Sequence, residues 1–495
     1  MKNRFIKSSL LIIIICATHL AFAQVKFERI FGGTGYDNGS SVIQTYDTGY
    51  VVAGSTSSFG YGNTDMYIIK TNQNGIAKWQ KTIGGINIDQ AYSVSQTSDS
   101  GLVIAGYTNS FGHGGYDMYL IRTDKYGDTL WTKTYGGTDW DFAYSAQQTS
   151  DGGFILAGGT YSYGYGSQDV YLVKTNSSGD TLWTKTFGGI KDDGASCVKQ
   201  TLDGGYIITG FTESFGEVHG DYYTIKTDNF GDTLWTKKLG FAGEDRASEI
   251  VPTSDGGYIT SGVSENTTGG YNVSFLVKTN SLGDTLFTRK NGYPNDASSN
   301  TVCEANDGGY VWAGKLKIGT SYEVYLFKYN ASGSYAFSFT LGSTKNEEAT
   351  SIKQTNDHGY IVAANSNSFN NYLGDIYLFK TDSMGVSSGT ISNYATGITQ
   401  HSNNINTFTI YPNPTNNGKC IIGFSNELIK QNEDIKLNVY NSLGQVISSE
   451  IYKIKSSSVR NEIELNTSSM KSGLYFIEII FDSNKITSKL IIENN

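Results

Sequence analysis

A motif of 52 residues recurs along this chain, and no other feature limits its possible folds as severely. Aligned on the glycine that opens each copy, the starts fall at Gly32, Gly84, Gly136, Gly188, Gly240, Gly292 and Gly342, five intervals of 52 followed by one of 50. A repeat of this length is one supersecondary unit whose apolar face must be covered by its neighbour. Each copy carries four runs of alternating, β-branched and aromatic residues, the signature of short strands. In the third copy they are expected over 143–149, 154–160, 169–175 and 181–187. Ser150-Asp151-Gly152-Gly153 joins the first two as a tight hairpin, with glycines available for positive φ. Equivalent turns stand at Asp203-Gly204-Gly205, Asp255-Gly256-Gly257 and Asp307-Gly308-Gly309. A longer turn with a glycine at its bulge position, Asn176 to Asp180, joins the last two.

Four short antiparallel strands at this period match the blade of a β-propeller, with an open solenoid as the rival. The chain ends discriminate between them. The seventh copy runs from Lys380-Thr381-Asp382 into Gly385-Val386-Ser387-Ser388 and has no fourth run. The missing run is at the other end, where Phe27-Glu28-Arg29-Ile30-Phe31-Gly32-Gly33 aligns with Trp131-Thr132-Lys133-Thr134-Tyr135-Gly136-Gly137. A ring uses that permutation to close itself and remove exposed edges, and a solenoid has no use for it. The fold class is therefore all-β: a seven-bladed propeller over 24–385, closed by its N-terminal strand. With 59 glycines, 35 tyrosines and only 4 prolines in 495 residues, composition agrees with glycine-punctuated strands.

Much of what repeats reads as scaffold. Trp79, Trp131, Trp183, Trp235, Phe287, Phe337 and Phe27 form one aromatic column on the fourth strands, expected to pack between blades. Two acidic rings recur near the loops: Asp37, Asp89, Asp141, Asp193, Asp245 and Glu347, and Asp65, Asp117, Asp169, Asp221, Asp375 and Glu323. An aspartate repeated at one place in nearly every blade most often accepts backbone N–H bonds. No copy spells an EF-hand loop, so no cofactor is expected, and Ca²⁺ is the ion these acids leave open.

Departures from the repeat are the better functional candidates, because the fold does not ask for them. His113, Glu217 and His219 fall in loops between second and third strands, and Trp140, Glu244 and Arg246 in loops between blades. An aromatic face beside acidic and basic groups is the composition of a glycan pocket. No G-x-S-x-G sequence occurs and the histidines are scattered, so nucleophilic catalysis has no signature here. A net charge of -9 and a pI near 5.2 argue against nucleic acid as a partner.

The ends of the chain read as address labels. Lys2, Arg4 and Lys7, the apolar run to Cys16, and the small residues Ala21 and Ala23 compose a secretory signal over 1–23. The apolar run is short of the roughly 20 residues that a spanning helix needs, so no transmembrane segment is expected in the mature protein. Cys197, Cys303 and Cys420 then remain, an odd and scattered set expected to act as apolar filler. Residues 386–406, rich in serine, threonine and asparagine, read as a flexible linker. Residues 407–495 hold about seven short strands of another rhythm, a small immunoglobulin-like β-sandwich.

In that last segment Tyr411-Pro412-Asn413-Pro414, Val439-Tyr440-Asn441-Ser442-Leu443-Gly444, Gly473-Leu474-Tyr475 and Lys489-Leu490-Ile491-Ile492 stand in order towards the end of the chain. They resemble the type A C-terminal sorting domain of the type IX secretion system. The resemblance implies recognition by that machinery, passage through the periplasm and outer membrane of a Bacteroidetes-type bacterium, and release or attachment at the cell surface. The propeller repeats resemble uncharacterised glycine-rich repeats of such secreted proteins. Asp128-Thr129-Leu130 and its counterparts look like the O-glycosylation sites of these bacteria, although they also suit a plain turn. The expected function is a secreted or surface-displayed binding protein, monomeric, with glycans or surface proteins as partners. An extracellular polysaccharide hydrolase or lyase on the same scaffold is the alternative.

Overall fold

A computed structural model describes residues 24–60, 62–216, 220–240, 243–266, 270–292, 295–342, 345–369, 373–388 and 391–393 of the repeat region. In the C-terminal part it describes 408–411, 419–424, 434–441, 445–453, 461–471, 473–481 and 484–492. The chain divides into two compact units, residues 1–398 and 399–495.

The first unit is a series of seven sheets, each of four antiparallel strands in sequence order. Blade 3 consists of Asp141–Gln148, Phe154–Thr160, Asp169–Thr175 and Thr181–Phe187, three of the four with the bounds read from the sequence. In blade 7 the fourth strand comes from the N-terminus: Phe27–Phe31 pairs antiparallel with Asp375–Thr381, Phe27 opposite Lys380 and Phe31 opposite Ile376. Ile391–Asn393, inside the segment expected as linker, adds a fifth strand parallel to it. Apolar clusters lie between successive sheets, and one joins Ile361, Ala363, Ile376 and Leu378 of blade 7 to Val42, Tyr50, Val52 and Ile69 of blade 1. Because the last sheet packs on the first, the ring is closed.

Three repeated devices hold it. The aromatic column packs between blades as expected, each ring against the turn glycine of the next blade: a Cβ on Gly179 would fall 2.8 Å from Trp131, and one on Gly231 equally close to Trp183. At the tight turns, a cation from each third strand reaches back to the turn aspartate. Lys70, Arg122, Lys174, Lys226, Lys278, Lys328 and Lys380 pair with Asp47, Asp99, Asp151, Asp203, Asp255, Asp307 and Asp357 at 2.5–2.9 Å. The cations are almost wholly buried, and in blade 5 the carboxylate also accepts from the Thr253 hydroxyl and the Gly257 N–H. At the outer edge Lys133 reaches Asp180 of the next blade at 3.1 Å, as Lys185 reaches Asp232. The repeated Asp-Thr-Leu thus contributes a turn and an ion pair.

A further repeated feature shapes the channel. Every first strand carries a bulge, in blade 3 between Ala143 and Ser145, so that one residue has no partner on the second strand. A bulge re-aims a side chain. It also draws the two backbones together, and a Cβ on Gly158 would lie 1.8 Å from the Phe142 carbonyl oxygen. After the bulge, small polar residues tie successive inner strands around the channel. Ser93 Oγ accepts from Ala146 N–H at 3.2 Å, Ser145 Oγ from Val198 N–H at 3.2 Å, and Thr301 Oγ1 from Ile352 N–H at 3.0 Å.

The second unit has a three-stranded sheet and a four-stranded sheet. Cys420, Ile422, Ile463 and Leu465 of the first share one buried core with Leu437, Val439, Ile477 and Ile479 of the second, which makes a small sandwich. The two sheets hold seven strands among the described residues, as expected, and one of them, Val446–Lys453, is an edge strand whose Val446, Ile447 and Ile451 are exposed. All three cysteines among the described residues, Cys197, Cys303 and Cys420, are free and buried, and burial pushes the Cys303 thiol up to about 12. Among the described residues no helix is long and apolar enough to cross a membrane.

Candidate binding site at the channel mouth

A cavity of about 540 Å³ opens in the channel, on the face that carries the loops between blades. Its wall includes Ser40, Tyr92, Tyr144, Ser196, Ser248, Asn300 and Thr350, one from each of the seven inner strands. These are the bulge residues. The device that constrains Gly158 therefore also delivers one free choice of side chain per blade into one cavity.

The choices divide the mouth into two halves. Blades 2 and 3 contribute rings in continuous contact. Tyr92 meets Tyr144 edge-on at 5.1 Å, Tyr107 meets Phe142 at 5.0 Å, and Trp140 touches Tyr116, Phe142 and Tyr161 at 5.9–6.3 Å. Edge-to-face contacts of this kind add about 0.5–1.5 kcal/mol each beyond area burial, so the wall is rigid. Gln90 Oε1 accepts the hydroxyls of Tyr92 and Tyr107 at 3.1 and 2.5 Å and fixes their directions. Burial raises the Tyr107 and Tyr144 phenols well above their ordinary range, so both remain protonated donors. A glycine at position 159 makes room for Gln168, which reaches the cavity wall.

The other half is polar. Arg246 lines the cavity with its guanidinium 3.9 Å from the Phe211 ring centroid, and it is paired with Glu244. In blades 6 and 7, Glu348 accepts from Asn300 at 2.7 Å and from Lys315 at 3.0 Å. The chemistry on offer is a stacking face opposite fixed donors and acceptors.

Of the residues singled out from sequence, Arg246 lines the cavity, from the strand Asp245–Pro252 rather than from a loop, while Glu244 pairs with it and Trp140 packs on Phe142 and Tyr161 without lining the cavity. Trp140 is 49% exposed, lying over Gly115 of the preceding blade's loop. His113 is exposed in that same loop and is not among the cavity-lining residues, its backbone N–H donating to Asp117 at 3.0 Å. Glu217 and His219 lie outside the described residues, as do Ala21 and Ala23 of the expected signal and Pro412, Asn413, Pro414 and Gly444 of the C-terminal motif. Tyr411, Gly473, Tyr475 and Lys489 fall on sandwich strands.

The first acidic ring is scaffold. Asp37, Asp89, Asp141 and Asp193 accept the N–H of Gly33, Gly85, Gly137 and Gly189 at 2.7–2.8 Å, and a serine hydroxyl from the following loop at 2.5–2.7 Å. Burial raises Asp141 above the usual carboxyl range, with Asp117 adding repulsion. Among the described residues no group of three or more histidine, cysteine or acidic side chains is placed to hold a metal ion.

Residues 409–493 match the family described as secretion system C-terminal sorting domain. Over 254 residues the chain is 26% identical to the Regulatory protein FlaEY of Caulobacter vibrioides, covering 46% of this chain and 26% of that protein. It thus spans about a quarter of that relative's length. Solved structures with a likeness include a puromycin hydrolase, at 9% identity and a TM-score of 0.47 over 79% of this chain and 59% of that one. Another is Sqt1 from Chaetomium thermophilum, at 10% identity and a TM-score of 0.42 over 68% and 81%. An endo-arabinase from Bacteroides thetaiotaomicron follows at 11% identity and 0.30 over 48% and 91%. The chain is a propeller-like protein of seven repeated sheets that ends in a type IX secretion sorting domain, and that domain marks it for export to the cell surface or beyond.

Proposed function

We propose that this is a saccharide-binding protein acting outside the cell, with its ligand held at the channel mouth. One observation carries the reading: the seven bulge positions, all of which line one cavity, hold three serines, two tyrosines, an asparagine and a threonine, whereas the residue before each is always small. A scaffold requirement would have kept them alike. The aromatic half supplies flat faces for the C–H surface of a sugar ring, and the polar half supplies Arg246, Asn300 and Gln168 for its hydroxyls. A volume of about 540 Å³ suits a short oligosaccharide segment. The acids nearest the cavity are engaged, Glu244 with Arg246 and Glu348 with Lys315 and Asn300, which favours binding over hydrolysis.

In this reading the protein is a monomer that crosses the periplasm and acts after the sorting domain has directed its export. A glycan array combined with a polysaccharide-depolymerisation screen tests it. Retention of defined glycans without release of shorter products is expected. Turnover would move the protein to the hydrolase or lyase reading, and silence in both assays would remove saccharides as the ligand.

A further inference from the structure

On the opposite face, where the tight turns lie, a second set of departures from the repeat gathers at one junction. A cavity of about 550 Å³ between blades 1 and 2 is lined by Tyr46, Lys78, Trp79, Lys125 and Tyr126, among others. Trp79 belongs to the scaffold column and is held against Gly127. Tyr46, Lys125 and Tyr126 are particular to this junction, and Lys78 has one counterpart, Lys26 beside Phe27. Where Tyr46 stands, the other blades have Ser98, Ser150, Leu202, Ser254, Asn306 and Asn356. Lys78 is replaced by leucine at 130, 182, 234 and 286. No other copy has a lysine at the place of Lys125 or a tyrosine at that of Tyr126.

Four side chains from three elements, the turn of Tyr46, the strand of Lys78 and the turn of Lys125 and Tyr126, converge on one hollow, and the set does not serve the fold, since the other junctions form without it. Tyr46 and Tyr126 are 68% and 60% exposed, so burial does not explain them. The charge is equally local. Lys70, Lys78 and Lys125 line the cavity against the single carboxylate of Asp47, three positive charges to one negative, in a chain of net charge -9. Asp47 already accepts from both Lys70 and Lys78, at 2.7 and 3.1 Å. Lys125 lies 5.0 Å from the Tyr126 ring centroid.

We propose that this hollow is a second binding site, selective for an anionic saccharide. The aromatic side chains take the C–H face of a sugar ring, while Lys78 and Lys125 take its carboxylate or sulfate. A neutral sugar leaves the excess positive charge unanswered, and a small inorganic anion leaves the rings unused. The site is independent of the channel mouth.

Calorimetric titration of the purified chain with polygalacturonate, dextran sulfate and neutral dextran tests the proposal. Each variant returns a residue to one the fold accepts elsewhere: Lys78→Leu with Lys125→Ser, and Tyr46→Ser with Tyr126→Ser. At least one anionic polymer is expected to bind, more weakly as salt rises, and each pair of substitutions to weaken it about tenfold or more. Binding of polygalacturonate alone identifies carboxylate as the anion, and of dextran sulfate alone the sulfate ester. Leu202→Ser, at the equivalent turn of another blade, is expected to leave the affinity unchanged. Failure of both anionic polymers to bind, equal binding of dextran, undiminished binding by the reverted variants, or loss on Leu202→Ser would each overturn it.

Discussion

The N-terminal strand should decide whether the ring holds. Phe27–Phe31 is the outer strand of the last blade, with Phe27, Ile30 and Phe31 each no more than 3% exposed. Glu28 is buried with them and accepts from Tyr377 at 2.7 Å and Ser387 at 2.6 Å. Burying three large apolar side chains is worth about 1.5–3 kcal/mol each, roughly 5–9 kcal/mol together. A folded domain has only about 5–15 kcal/mol of net stability, so a chain lacking residues 24–31 should lose most of it. Phe31→Ala gives the graded form of the test, with an expected cost of about 3–5 kcal/mol. Lys26→Ala removes only a partly exposed pair with Asp382 at 3.4 Å, worth about 0–1 kcal/mol, and serves as the control. Urea melts followed by tyrosine and tryptophan fluorescence report all three. A truncated chain with the midpoint of the intact one would refute ring closure by this strand.

Two further outcomes follow from the repeated devices. In the Asp255 turn burial opposes the charge, but hydrogen bonds from Thr253, Lys278 and the Gly257 N–H outweigh it and hold the carboxyl at about 2. Such a depressed group stabilises the fold above its unfolded value of about 3.9 and loses that contribution as pH falls towards 2. Asp47, Asp151, Asp203, Asp307 and Asp357 are lowered by the same arrangement, so thermal stability should drop between those limits. Asp255→Asn should flatten part of that drop, and an unchanged profile would contradict the assignment. Gly158→Ala, whose Cβ meets a backbone oxygen at 1.8 Å, should cost several times the ~1 kcal/mol expected for Gly152→Ala, where φ is +81° but no atom lies within 4 Å. Equal melting temperatures for the two would remove the bulge argument.

The fold was legible because periodicity, turn glycines and the fragment at residues 27–33 all describe the same unit. The scaffold reading of Trp131 and Asp141 was legible for the same reason, since a residue the fold requires is repeated wherever the fold is. The bulge was not. Nothing in the alternation around Ala143-Tyr144-Ser145 shows that one residue lacks a cross-strand partner, because that is a property of pairing with 154–160 rather than of the strand itself. A signal for the site was present all the same: Ser40, Tyr92, Tyr144, Ser196, Ser248, Asn300 and Thr350 range from serine to tyrosine directly after a residue that is always small. Searching for departures near the loops recovered Arg246, which lines the cavity from the start of a strand, with its partner Glu244, but missed Tyr92 and Tyr144, which lie deeper within strands. The turn cations were equally hidden, since a lysine before a strand-ending threonine looks solvent-facing until the third strand is placed beside the turn.

The account rests on the bulge residues forming one ligand site. Its most direct test takes the glycan retained most tightly on the array and titrates it against the intact chain, Tyr144→Ser, Arg246→Ala and Leu202→Ser. Leu202 is fully exposed on the tight-turn face and stands for surface far from the mouth. Affinity should fall about tenfold or more for Tyr144→Ser and for Arg246→Ala, with Leu202→Ser unchanged and all four chains equally stable. Undiminished affinity in both mouth variants would place the ligand elsewhere and contradict the account.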